Sequence, residues 1–364
     1  MRILFLTNIP SPYRVEFFNQ LGEKCNLTVL YQKRKSSERD EKWMGKSRNT
    51  YKEVYLKGMS TGVDQSISFE VLNYLNKNTY DYIIICGLAS PTEILALVWC
   101  KVMHIPFYFE SDGGFAKEKN SVKGLVKKCI LSGAEGYFST GQNHDEYYLS
   151  YGVKKDKLIR YPFSSICNRE ILSQPILKEK KMLLRCEQGY NYPILALTVG
   201  QFIKRKGIDI LIKAWGQMDK NSCLLVIGGT PTDEYLELVK QNENQNIFFL
   251  PFLEKNDLVQ FYQMCDFFVF PTREDIWGLV VNEAMGYGIP VIASDRAAAA
   301  IELVEDWVEG FIFESGKVDS LSEKLSYISS LTEKEMYQMG VKSLEKAKKY
   351  TIEKMVERHL EVLN

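Results

Sequence analysis

Glu274-Asp275-Ile276-Trp277-Gly278-Leu279-Val280-Val281-Asn282-Glu283-Ala284-Met285 sets acidic side chains around what reads as the start of a helix. The strand-like Phe267-Phe268-Val269-Phe270 before it runs into Pro271, which donates no backbone N–H and favours a strand end. From Gly278 to about Tyr287 the residues favour helix. The N–H groups of Gly278, Leu279 and Val280 are then free to bind an anion at the positive end of the helix dipole. Glu283 lies on the same helix, where it can reach a neutral polar group beside that anion. A carboxylate avoids phosphate but suits sugar hydroxyls, and an anion flanked by hydroxyls describes a nucleotide sugar.

Outward from this stretch, short β-branched runs alternate with longer amphipathic segments, the pattern of parallel sheets with crossover helices. Strands are expected at Ile3–Thr7, Leu27–Tyr31, Val54–Leu56, Tyr82–Cys86, Phe107–Glu110 and Gly136–Ser139. A second set is expected at Leu195–Val199, Cys223–Ile227, Ile247–Leu250, Phe267–Phe270 and Val291–Ser294. The chain has 364 residues, more than one core usually supports, so two α/β domains are expected. We place them at 1–172 and 194–348, with the polar, lysine-rich stretch 173–193 as an interdomain link carrying a short helix over 176–184. Residues 349–364 form a last segment, with apolar positions at helical spacing from Thr351, a candidate N-cap.

The 46 basic and 46 acidic side chains cancel, which argues against nucleic acid as a partner. The eight cysteines include no C-x-x-C pair and several sit in apolar runs such as Ile83-Ile84-Ile85-Cys86, as expected of reduced, buried thiols in a cytoplasmic protein. His104, His144 and His359 are not spaced as metal ligands and read as structural. Met1 to Thr7 is too short an apolar run for a signal core, and Ser90, Pro91, Thr92, Glu93 and Lys101 interrupt the longest hydrophobic region.

A second anion signal follows the strand Leu195–Val199. Gly200-Gln201-Phe202-Ile203-Lys204-Arg205-Lys206-Gly207 places three cations in a strand-to-helix loop, and such loops form the ligand crevice of parallel α/β sheets. A lone basic loop can equally be a solvated turn. Two anion-favouring loops in one α/β unit favour a site. The opening loop, Asn8 to Arg14, has no glycine, so the dinucleotide fingerprint of a Rossmann dehydrogenase is missing.

The spacing Gly200-Gln201-x-x-x-x-Lys206-Gly207, then Gly278 to Met285 continuing to Gly288-x-Pro290-Val291, resembles the donor-binding half of family 4 retaining glycosyltransferases. The opening Asn8-Ile9-Pro10-Ser11-Pro12-Tyr13-Arg14 resembles a bacterial cell-surface polysaccharide branch of that family. The resemblance implies an α/β GT-B fold: two Rossmann-like domains with parallel sheets facing across an interdomain cleft, and a final helix that crosses back to the first domain. It implies transfer from a nucleoside-diphosphate sugar, for which a UDP-sugar is the guess, with retention of configuration, no cofactor and no obligatory metal. Glu283 would hold the ribose hydroxyls and Asp275, where the family carries a longer glutamate, would face the sugar; Glu274 is the alternative for that reach. The family's basic pair on the diphosphate falls at Gln201 and Lys206, with Arg205 placed to compensate for the neutral amide. Asp112 stands where many members carry a histidine near the reacting centre, either touching substrate or merely capping its loop. The alternatives are a degenerate sugar-nucleotide-binding protein without transfer activity, and a GT-B sugar-nucleotide epimerase or phosphorylase.

The first domain is expected to carry a glycan or polyprenyl-linked acceptor, with Arg14 and Trp43 as candidate contacts. Arg14 could also be an ordinary exposed residue of a helix start. Residues 33–48 hold seven basic and three acidic residues and read as a long mobile loop. Residues 117–131 place Lys119, Lys123 and Lys127 on one helical face, which suits either a solvated face or an anionic membrane surface on the cytoplasmic leaflet.

Overall fold

Residues 1–36, 43–116 and 122–363 are described in the computed structural model. They divide into two units, Met1–Ser165 with Thr351–Asn364, and Ile166–Tyr350.

In the first unit, β1 (Arg2–Thr7), α1 (Pro12–Gly22), β2 (Asn26–Tyr31) and β3 (Lys52–Tyr55) precede a hairpin of β4 (Met59–Gly62) and β5 (Gln65–Ile67). The chain continues through β6 (Tyr82–Cys86), α2 (Pro91–Val102), β7 (Tyr108–Glu110), α3 (Val122–Leu131), β8 (Tyr137–Ser139), α4 (Gln142–Ser150) and β9 (Leu158–Arg160). Ser90 and Glu93 form a reciprocal capping box that fixes the start of α2. The sheet order is β3-β2-β1-β6-β7-β8-β9, every pairing parallel. β1 and β2 are buried after their first residues, as helices on both faces of a parallel sheet require.

The second unit opens with α5 (Lys178–Glu187) and alternates β10 (Ile194–Val199), α6 (Ile208–Trp215), β11 (Ser222–Ile227), α7 (Asp233–Lys240), β12 (Ile247–Leu250), α8 (Lys255–Met264), β13 (Phe267–Phe270), α9 (Leu279–Gly286), β14 (Val291–Ser294), α10 (Ala298–Leu303) and β15 (Gly310–Phe313). α11 (Val318–Ser330) and α12 (Glu333–Ala347) complete it. Its sheet runs β12-β11-β10-β13-β14-β15, again all parallel. The chain winds one way from β10 and the other way from β13, so the loops after these two strands part and leave a crevice. Trp215, Leu211, Leu224 and Phe311, all fully buried, fill the layer beneath. The last helix, α13 (Ile352–Leu363), belongs to the first unit and packs on α1. Its His359 ring stacks on Phe138 at 4.3 Å.

Several expectations change. The stretch 173–193 is part of the second unit: α5 packs on α8, and the fully buried Arg185 donates to the carbonyls of Met264, Tyr192 and Pro193. Its lysines made this helix read as a link, yet Lys178 pairs with Asp266 and only Lys180 among them is exposed. β4–β5, β9 and β15 were not anticipated; β4 is exposed throughout, and β15 opens on a glycine. Of the loop 33–48, residues 37–42 lie outside the described residues, but its end is anchored. Gly45 N–H donates to Pro10 O, and Asn19 binds both Lys46 O and Arg48 N–H on α1. Of the basic helix, residues 117–121, with Lys119, and the side chain of Lys123 also lie outside.

Two glycines separate close approach from backbone strain. Gly207 (φ +67°) and Gly189 (φ +81°) both adopt left-handed backbone, but a Cβ on Gly207 would stand 2.0 Å from Pro271 O, whereas nothing lies within 4 Å of one on Gly189. Gly189→Ala is expected to cost about 1 kcal/mol from conformation alone. Gly207→Ala should cost at least about twice that, because two backbones must move apart. Urea unfolding of both variants measures the difference.

Candidate functional site

The crevice of the second unit is closed down by the two loops that flank it. Gly200 meets Gly228 so tightly that a Cβ on Gly228 would lie 1.8 Å from Gly200 O. Beyond it, Lys204–Lys206 make a 3-10 turn that ends on left-handed Gly207. Arg273 Nη1 and Nη2 fork onto Asp209 Oδ1 and Oδ2 at 2.7 and 2.6 Å, and Arg273 N–H and Thr272 Oγ1 both donate to Arg205 O. These bonds fix the turn on the loop after β13.

So held, the two cations reach one carboxylate. Lys206 Nζ stands 2.5 Å and Arg205 Nη1 3.2 Å from Asp275 Oδ2. Burial alone would raise the Asp275 pKa, but Lys206 and then Arg205 more than offset it, so the net shift is downward. The Asp275 backbone is pinned as well, its N–H donating to Arg296 O and its carbonyl accepting from Ala298 N–H. Glu274 turns aside, its Oε2 3.3 Å from Arg296, while its carbonyl accepts from Arg205. Of the two adjacent acids, only Asp275 faces the lysine.

α9 begins beside this pair. Gly278 (φ +105°) caps it, and a Cβ there would enter the Phe270 ring at 2.6 Å. The first-turn N–H groups of Leu279 and Val280 have no intrahelical acceptor by helix geometry, so with Gly278 they form a positive end. Buried Trp277 locks the turn by donating Nε1–H to Asn282 Oδ1 at 2.9 Å. Glu283 Oε2 accepts from the Tyr262 hydroxyl at 3.0 Å, and burial, with Glu283 beside it, pushes that phenol pKa well up. Gln201 sits half-buried at the start of the cationic loop. Gln201, Arg205, Lys206, Glu274, Asp275, Gly278, Leu279, Val280 and Glu283 thus all lie on these two loops and α9.

Arg14, Trp43 and Asp112 lie in the first unit. Arg14 is 3% exposed, not the exposed helix-start residue that its position allowed. Its Nη1 meets Glu110 Oε1 at 2.5 Å and its Nη2 meets Asp112 Oδ1 at 2.6 Å. Tyr13 donates to Asp112 Oδ2 at 2.6 Å and Tyr161 to Glu110 Oε1 at 2.9 Å, while His359 Nε2 lies 3.4 Å from Glu110 Oε2. Thr140 N–H donates to Nδ1 of His144, whose Nε2 then donates to Ser111 Oγ beside Asp112. Burial lowers the His144 pKa to about 3, so it stays neutral. Trp43 is half-buried. Glu110 escaped notice in the sequence, although an acid ending the apolar run Phe107-Tyr108-Phe109 was a signal that it has a partner. Among the described residues, no three His, Cys, Asp or Glu are grouped to hold a metal.

Two cations and a helix start thus meet at the switch point of a parallel sheet, an arrangement that suits an anion. Comparison with known proteins gives the family. The profile of the glycosyl transferases group 1 family matches residues 188–350. An uncharacterised glycosyltransferase of Methanocaldococcus jannaschii is 32% identical over 254 residues, 67% of this chain and 69% of that one. The O-antigen biosynthesis glycosyltransferase WclY of Escherichia coli is 26% identical over 210 residues, 56% of each chain. The chain belongs to the group 1 glycosyltransferases. Anabaena HepE in complex with UDP superposes with a TM-score of 0.78 at 16% identity, covering 100% of this chain and 99% of that one, and the fold is GT-B.

Glu110 gives a pH test. Burial would raise its pKa, but Arg14 and His359 hold it down to about 2 against an ordinary 4.5. Because the folded value lies below the unfolded one, its contribution is complete above about pH 4.5 and is lost as pH falls towards 2. Glu110→Gln should flatten that part of the stability curve and cost about 3–5 kcal/mol at pH 7, because buried Arg14 then keeps only the partly exposed Asp112 as a charged partner. Urea unfolding between pH 3 and pH 7 checks both.

Proposed function

We propose that this chain is a family 4-type retaining glycosyltransferase that moves a sugar from a nucleoside-diphosphate sugar, UDP-linked in our assignment, to a glycan or polyprenyl-linked acceptor in cell-surface polysaccharide synthesis. The observation that carries the proposal is the convergence of Lys206, Arg205 and the start of α9 around Asp275. The O-antigen role in the name of the E. coli relative and the UDP bound to Anabaena HepE support the acceptor class and the donor class.

In this proposal the diphosphate lies against the first turn of α9, and Lys206 and Arg205 turn from Asp275 to its oxygens. Glu283, oriented by Tyr262, takes the ribose hydroxyls, and Asp275 then faces the sugar. The bond from the anomeric carbon to the β-phosphate oxygen breaks, with its electron pair leaving on the diphosphate. The cations and N–H groups stabilise that charge as it develops. The acceptor oxygen bonds to the same face of the sugar and its proton passes to the leaving diphosphate, which preserves configuration. These cations make an obligatory metal unnecessary, so EDTA should leave turnover unchanged. Asp112, clamped by Tyr13 and Arg14, accepts a substrate hydroxyl in the acceptor-carrying unit.

A second reading, sugar-nucleotide binding without transfer, is favoured by the same ion pair if Lys206 never leaves Asp275. The two part on turnover. We also propose a cytoplasmic location with peripheral contact to an anionic membrane through α3, where Leu125 and Val126 are exposed beside Lys127 and Lys128. Among the described residues no helix is long and apolar enough to cross a membrane. Failure to sediment with anionic vesicles at low salt would rule out the membrane contact.

In a thermal-shift screen against UDP-, GDP- and dTDP-sugars, a UDP-sugar should raise the melting temperature and be turned over or hydrolysed; a shift without either outcome supports the binding-only reading. Lys206→Ala should lower turnover by about 10²-fold or more. Glu283→Ala should mainly weaken donor binding, and Asp275→Ala should abolish turnover where Glu274→Ala does not. A fully active Lys206→Ala would refute the phosphate assignment.

A further inference from the structure

The other end of the second sheet holds a cavity of about 390 Å³, at the amino ends of β10 and β13 and away from the loops of Lys206 and Asp275. That volume suits a small ligand. Its walls are Ile176, Ile194, Phe267, Ile328, Leu331 and Met336. Asp266, immediately before β13, also lines it, and its oxygens are already engaged. Lys178 Nζ lies 3.0 Å from each oxygen, while Leu195 N–H at 2.9 Å and Arg185 Nη2 at 2.7 Å meet Oδ2.

Lys181, three residues along α5 from Lys178, lines the same cavity. Among the described residues it has no carboxylate within ion-pairing distance, although it feels the more distant Asp266. Burial lowers its pKa, and Asp266 opposes that only in part. Three cations therefore share one carboxylate, and the ammonium left over borders an apolar space. Lys181 is half-buried, and a charge partly withdrawn from water is stabilised when an opposite charge meets it.

We propose that this cavity binds a small monocarboxylate with an apolar body, its carboxylate on Lys181 and its body against Ile194, Phe267, Ile328 and Met336. Of the three cations around Asp266, Lys181 is the one with no carboxylate in contact among the described residues, so a single carboxylate completes its pairing while the apolar walls take an apolar body. Glu333 and Lys334, both exposed on α12, line the same cavity with opposite signs and leave its charge balance unaltered. The site is independent of the donor proposal, sharing none of its side chains. Medium-chain fatty acids and arylalkanoic acids share the chemistry.

Calorimetric titration of the full chain with decanoate, 3-phenylpropanoate, decanol and acetate tests the site. At least one of the two acids should bind at one site with Kd below about 1 mM and roughly tenfold or more tighter than decanol or acetate. Decanoate alone would assign a flexible chain, and phenylpropanoate alone a compact ring. Lys181→Met should weaken the bound acid by about tenfold, Lys181→Arg should retain it, and Ile328→Trp should fill the cavity and abolish binding. Failure of both acids to bind, equal binding of decanol, or Lys181→Met without effect would overturn the proposal. The comparison of acid with alcohol uses unaltered protein, so a variant that misfolds does not protect the idea.

Discussion

The ion pair of Lys206 with Asp275 is the interaction around which the crevice of the second unit is organised. It exists because the sheet reverses its winding between β10 and β13, which sets the two following loops side by side. The two loops then approach more closely than a side chain allows, with Gly207 against Pro271 O, and the first is also held against the loop after β11, with Gly228 against Gly200 O. The Asp209–Arg273 fork adds a bidentate clasp at the rim. Geometry, glycine and charge thus act in series, and loss of the close approach would dissolve the charge cluster.

The first unit solves a different problem with similar means. Its β7 ends in a fully buried carboxylate, Glu110, which is tolerable only because Arg14 pairs with it and Tyr161 donates to it. Arg14 then extends the charge network to Asp112, which is partly exposed. α13 contributes His359 to the same cluster, so the end of the described chain is tied to the sheet of its beginning through Glu110 as well as through apolar contacts. Asp112 is oriented by residues about a hundred positions away.

What was legible in the sequence follows from how local each signal is. The strands Tyr82–Cys86, Phe267–Phe270 and Val291–Ser294 were read with the bounds that the structure gives, because strands covered on both faces are continuous apolar runs; the edge strand Ile247–Leu250 was read as well, although Phe248 is exposed. β4 is wholly exposed and carries no such run. Two loops suited to anions were legible from glycines and cations at strand ends. That two of the three cations of the first loop, Arg205 and Lys206, terminate on the acid of the second was not, since that partner lies about seventy residues on. Arg14 read as exposed for the same reason: nothing near it announces Glu110, 96 residues away. The short helix within 173–193 was legible, but its place in the second unit was not, because its decisive residue, Arg185, donates to Met264 O and pairs with Asp266, about eighty residues on.

The assignment turns on whether Lys206 exchanges Asp275 for a phosphate. A crystal structure of the protein with UDP measures this most directly. The account predicts the β-phosphate within hydrogen-bonding distance of the first-turn N–H groups of α9, with Lys206 Nζ moved from Asp275 onto its oxygens. UDP bound elsewhere, or bound there with the Lys206–Asp275 pair intact, would contradict it.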